Sequence, residues 1–160
     1  MAARNELTLP STVPMEPTPG ARPQRIRTVV ADDSETFLEV TWDLLGLEEE
    51  IQLVAAASDG IDAVDTVARL KPDLVVMDVT MPGMNGLAAS SLIVSMSPAP
   101  IVVLMSSDDT PLLRAACRRV GAFAFVRKVN FCDEFARVLE RILRTHRPHQ
   151  ETPENGRTAS

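Results

Sequence analysis

The 160 residues are 45% apolar and 24% charged, enough apolar material for one folded domain with polar termini. A net charge of −6 opposes the electrostatic attraction that DNA, RNA or an anionic membrane needs, so proteins and small cations are the expected partners. No apolar run reaches signal-peptide length or the ~18 residues of a membrane span, which predicts a cytoplasmic protein that does not enter a membrane.

Residues 1–25 carry Pro10, Pro14, Pro17, Pro19 and Pro23 among Ser, Thr and Gly, a composition that buries too little apolar surface to offset chain entropy. A disordered tail is expected there. From Ile26 to His146 the texture changes to short apolar runs alternating with amphipathic stretches, five times over, which predicts βα repetition. The runs 26–31, 51–57, 73–78, 101–106 and 122–126 are nearly continuous in apolarity, as strands covered on both faces are.

Between them, Phe37, Val40, Leu44 and Leu47 share helical spacing, and so do Ala63, Val64, Val67 and Ala68. In 86–96 serines blur the period, leaving Leu87, Leu92 and Met96 as anchors. Leu113, Ala116, Cys117 and Val120 make a fourth helical face, and Phe131, Phe135, Val138, Leu139 and Ile142 a fifth. Asp33 or Ser34 should start the first helix, while Pro72 and Gly121 stand where two helices should stop. The prediction is an α/β doubly wound, parallel five-stranded sheet with five helices. Residues 147–160 are read as a polar tail, too short for a DNA-binding output domain of about 50 residues or more. Cys117 and Cys132 form no C-x-x-C pair and are expected to be free core thiols.

In open α/β sheets, ligands bind beyond the carboxyl ends of the strands. Strand one ends in Asp32 and Asp33, strand three in Asp78, strand four in Ser106, and Lys128 follows strand five. Three converging carboxylates repel unless a cation joins them, and hard oxygen donors suit Mg²⁺ or Mn²⁺. With the metal and Lys128, the site approaches neutrality before a phosphoryl group arrives, and Asp78 is placed to act as nucleophile. Alone, Asp33 could equally cap the first helix, Ser106 could be a satisfied hydroxyl and Lys128 a solvated charge.

VVADDSETF, VVMDVTMPGMNGL and GAFAFVRKVN are similar to the three signature segments of response-regulator receiver domains of two-component systems, over about residues 26–146. The resemblance implies a flavodoxin-like fold with strand order 2-1-3-4-5. It also implies roles: Asp32 and Asp33 for Mg²⁺, Asp78 as phosphoacceptor, the Thr80 backbone carbonyl as a metal ligand, and Lys128 against the phosphoryl oxygens. Phe125 falls at the switch aromatic. Ser106 is taken as the switch hydroxyl, although counting from Pro100 would put Met105 there, and Met105 has no hydroxyl to donate.

The family implies a histidine kinase or histidine phosphotransfer protein upstream and a protein target downstream, with self-association left open. It implies no turnover beyond the domain's own phosphorylation and dephosphorylation. Arg118, Arg119, Arg137, Arg141 and Arg144 are read either as a docking face for an acidic partner or as solvated helix faces paired with Glu134 and Glu140. Two alternatives are a phosphorylation-independent scaffold on the receiver fold and an aspartyl-phosphate phosphohydrolase. The second is disfavoured because position 80, where such enzymes place a second acid, is Thr.

Overall fold

A computed structural model describes residues 24–145. Most of the expected N-terminal tail (1–23) and the end of the chain from His146 lie outside the described residues. Five strands form one parallel sheet in the order β2-β1-β3-β4-β5, as expected: β1 Ile26–Ala31, β2 Ile51–Ala57, β3 Leu74–Asp78, β4 Ile101–Ser106 and β5 Ala124–Arg127. The helices are α1 Glu35–Gly46, α2 Gly60–Leu70, α3 Gly86–Ile93, α4 Pro111–Arg119 and α5 Phe131–Thr145, with one 3₁₀ turn at Lys128–Asn130.

Strand alternation divides the core into two layers. Val30, Val76, Val103, Met105 and Val126 face α1 and α5, meeting Leu45, Phe131, Phe135, Leu139 and Ile142. Ala31, Val75, Met77, Val102 and Leu104 face the other way, onto Ala63, Val67, Ala89, Ile93 and Cys117 of α2, α3 and α4. β3 lies at the centre of the sheet and is buried along its whole length, which explains its unbroken apolar run.

Two helices bury a different stripe from the expected one. On α1, Val40 is 47% exposed, and Leu47, just past its end, 78%, while Thr41 and Leu45 are buried and Phe37, Leu38 and Leu44 pack against the core. A comparable spacing runs one residue further on, through Leu38, Thr41 and Leu45, and the sheet selects that register. α3 stops at Ile93 and buries Gly86, Ala89, Ser90 and Ile93, leaving Leu92 48% exposed. Small residues face inward because α2 and the β3 to α3 loop approach closely there: a Cβ on Gly60 would lie 2.1 Å from the Met84 carbonyl oxygen. Cys117 is buried, but Cys132 is exposed on the first turn of α5 and is no core thiol.

Caps place the helices over the strand ends. Ser34, Asp59, Asn85 and Thr110 each accept a hydrogen bond from the backbone N–H three residues on. α5 carries the clearest apolar face, and its Phe131 stacks on Phe135 with ring centroids 5.3 Å apart. Phe135→Ala should cost about 3–5 kcal/mol, read in urea titration as a lower midpoint with unchanged slope.

Candidate functional site

The carboxyl ends of β1, β3 and β5 bring four charged residues together. One carboxylate oxygen from each of Asp32, Asp33 and Asp78 lies within 4.8 Å of the others. Asp32 and Asp78 are buried and Asp33 is exposed, so the cluster opens to solvent on one side. Lys128, its side chain 13% exposed, reaches in from the 3₁₀ turn, with Nζ 2.6 Å from Asp32 Oδ2 and 3.2 Å from Asp78 Oδ2. The ammonium is thus shared between two strands and sits nearer Asp32 than the expected phosphoacceptor.

Each side chain is positioned by its backbone. Ser34 supplies the α1 cap, which leaves Asp33 free for the cluster rather than for capping. Asp32 Oδ1 accepts from the Ser34 N–H at 2.8 Å. Its other oxygen, Oδ2, faces the Lys128 ammonium at 2.6 Å. Three carboxylates with one ammonium between them leave an excess of negative charge, and this all-oxygen donor set, open to solvent at Asp33, fits a hard divalent cation. Burial pushes the Asp78 carboxyl above the ordinary carboxylate value; Lys128 opposes that shift, Asp32 adds to it, and the Thr80 backbone N–H lowers it slightly.

Several contributing residues carry no signal on the functional reading of the sequence. Phe37 lies under Lys128, its ring centroid 4.4 Å from Nζ, and meets Phe131 edge-on. Gly86 lets α3 start directly against the end of β3: a Cβ there would lie 2.0 Å from the Asp78 carbonyl oxygen. The G of MNG is the visible trace of that close approach.

Ser106 closes β4 and Phe125 lies on β5 in register with Leu104; among the described contacts neither is bonded to the cluster. Met105 pairs in register with Asp78, and alternation sends its side chain into the α1/α5 layer. Ser106 is therefore the residue that brings a hydroxyl to the end of β4. Its oxygen accepts from the Asp108 N–H at 3.1 Å and makes no hydrogen bond to Asp78. Phe125 is half-buried on β5, with the Arg114 guanidinium over its ring. Glu134 pairs with Arg127 rather than with a helical neighbour. Among the described residues, only the exposed Glu140–Arg144 contact, 3.9 Å, follows the expected i,i+4 pattern.

The fold and site define an α/β protein, a doubly wound parallel sheet with an acidic cluster and a lysine at the carboxyl ends of its strands. The response regulator receiver domain model matches residues 28–143, and the chain belongs to that family. A protein-glutamate methylesterase/protein-glutamine glutaminase of Methanococcoides burtonii is 34% identical over 119 residues, covering 74% of this chain and 34% of that protein. One from Caldanaerobacter subterraneus is 36% identical over 106 residues, covering 66% of this chain and 29% of that protein. The chain thus spans about a third of the length of these curated relatives.

Among solved structures, the response regulator domain of Thermotoga maritima CheB superposes with a TM-score of 0.68 at 30% identity. That match covers 78% of this chain and all of that one. The NarL signal receiver domain of Mycobacterium tuberculosis gives 0.71 at 28% identity, covering 76% and 98%.

Two outcomes test the site's physics. Below the ordinary carboxylate range Asp78 is neutral in both folded and unfolded chains; as pH rises, the unfolded chain ionises first and folded stability falls until the raised value is passed. Asp78→Asn should therefore raise the melting temperature of metal-free protein by a few degrees at neutral pH, the gap closing toward pH 3 in scanning calorimetry. Gly86→Ala should cost about 1–3 kcal/mol in the same measurement, because the Cβ forces α3 away from β3.

Proposed function

We propose that this chain is a phosphorylation-dependent signalling switch that accepts a phosphoryl group on Asp78. The observation carrying the reading is the burial of the Asp78 carboxylate beside two further acids and Lys128, an arrangement that a bound cation would neutralise and so ready for an oxyanion. In the transfer, an Asp78 oxygen forms a bond to phosphorus as the donor's bond to phosphorus breaks. Family membership supports a histidine kinase or a histidine phosphotransfer protein as the donor and a contact with a downstream protein as the output.

Asp32, Asp33 and Asp78, with the Thr80 carbonyl, are the residues to hold Mg²⁺ or Mn²⁺. When bound, the metal supplies positive charge against the phosphoryl oxygens. Lys128 supplies the second cation, and its two carboxylate contacts together with the Phe37 ring hold it in place before the anion enters. Ser106 is the candidate third contact, once its hydroxyl turns from Asp108.

The chain's own reaction is limited to gaining and losing this phosphoryl group. The methylesterase activity named for the longer relatives is not assigned to the segment shared with them. Among the described residues no helix is long and apolar enough to cross a membrane, and we place the switch in the cytoplasm, where phosphodonor proteins act.

Incubation with a small acyl phosphate and Mg²⁺ should add one phosphoryl group to wild-type protein, read by intact mass. Asp78→Asn should remain unlabelled, and Lys128→Ala should label at least tenfold more slowly. Equal labelling of the Asp78→Asn protein would remove Asp78 from the role, and no labelling of any protein would favour a scaffold.

A further inference from the structure

The β4 to α4 loop, α4, β5 and α5 are joined by a chain of ion pairs that has no part in the chemistry described above. Arg114 of α4 grips Asp109 in a two-pronged contact, Nε to Oδ1 and Nη2 to Oδ2, the latter at 3.0 Å. The same guanidinium covers the face of Phe125, its central carbon 4.9 Å from the ring centroid. Asp109 also lies 3.8 Å from Arg127 Nε, and Arg127 is tied to Glu134 by its side chain at 2.6 Å and its backbone N–H at 2.8 Å. Within this set the Asp109 carboxyl is held below its ordinary value, chiefly by the Arg114 hydrogen bond. Burial raises the Glu134 carboxyl, but the backbone and side-chain donors of Arg127 outweigh it and hold that carboxyl low as well.

Asp109 is three residues beyond Ser106 on one loop, and Ser106 is anchored to that loop by the Asp108 N–H. Turning the Ser106 hydroxyl toward Asp78 breaks its bond to the Asp108 N–H and so frees the loop that carries Asp109, the residue that holds the Arg114 guanidinium beside Phe125.

We propose that Arg114 is a latch: with Asp109 it pins Phe125 and the β4 to α4 loop in the unphosphorylated arrangement, and it lets go when Ser106 turns to the phosphoryl group. The inference rests on the reading of Asp78 as phosphoacceptor. Arg114 is a positioning residue, since it touches neither the acidic cluster nor Lys128. A latch that favours the unligated state must weaken binding of whatever favours the other state, by the same factor. Exposed ion pairs and cation–ring contacts are individually weak, so the expected factor is about fivefold.

The test is calorimetric titration of the full chain with beryllium fluoride in excess Mg²⁺, the fluoride complex standing in for a phosphoryl group. Arg114→Ala and Asp109→Asn should each bind about fivefold more tightly than wild type. Arg114→Lys, which keeps the charge but loses the fork, should fall between, and the double variant should add little to either single change. In ligand-free Arg114→Ala, hydrogen exchange of the Arg127 amide should quicken, a second readout independent of the titration.

Wild-type binding with equal or weaker binding by both variants would overturn the latch and leave the phosphoacceptor reading intact. Absence of binding by wild type, together with absence of Asp78 labelling, would overturn the reading itself. Both altered side chains are about one-third exposed, so folding is expected to survive; should Arg114→Ala fail to fold, the Asp109→Asn comparison decides.

Discussion

Lys128 placed between Asp32 and Asp78 is the contact on which the rest of the arrangement depends. Two buried carboxylates at adjacent strand ends repel, and burial already disfavours charge on Asp78. One ammonium at 2.6 and 3.2 Å makes the pair tolerable without any local backbone donor to Asp78 beyond the Thr80 N–H. Because the compensation is shared, neither acid is fully satisfied. Three carboxylates around one ammonium leave negative charge in excess, the feature on which the proposed cation site rests.

The fold serves that contact in a direct way. Asp32 and Asp78 come from neighbouring strands at the centre of the sheet, while Lys128 comes from the turn after the far edge strand, β5. The lysine must therefore cross over β4 to reach them, and an aromatic of α1 backed by two of α5 provides its support. Phe37 lies beneath the ammonium, Phe131 meets Phe37 edge-on, and Phe135 stacks on Phe131. The same residues that close the α1/α5 core layer thus hold the cation, so core packing and site geometry are not separable here. On the other side of the sheet, Gly60 and Gly86 let α2, α3 and the loop after Asp78 close to backbone contact.

The acidic set and the lysine were legible because chemistry at the carboxyl ends of parallel strands is concentrated in a few sequence positions. The residues that orient them were not. Phe37 reads only as one apolar position on an amphipathic helix, and Gly86 as one glycine in a turn-rich stretch. Arg114 and Asp109 read as ordinary charges five residues apart, off the usual helical pairing distances, so pattern alone pointed instead to Arg118, Arg119 and the arginines of α5. The choice between Met105 and Ser106 is a further case. Counting along the chain leaves it open, whereas strand alternation sends Met105 into the core beside Val103 and Val126.

By itself the amino-acid sequence determined the alternation of five strands and five helices and named the charged residues at the strand ends, because burial on both faces and helical periodicity are written locally. Tertiary structure alone decided which stripe α1 buries, where α3 ends, that Lys128 is shared between two acids, and that Arg114 covers Phe125. Each of these depends on distances between segments far apart in the chain. Near-equivalent local patterns, such as Val40 against Thr41 or Leu92 against Ile93, are resolved only by the surface they meet.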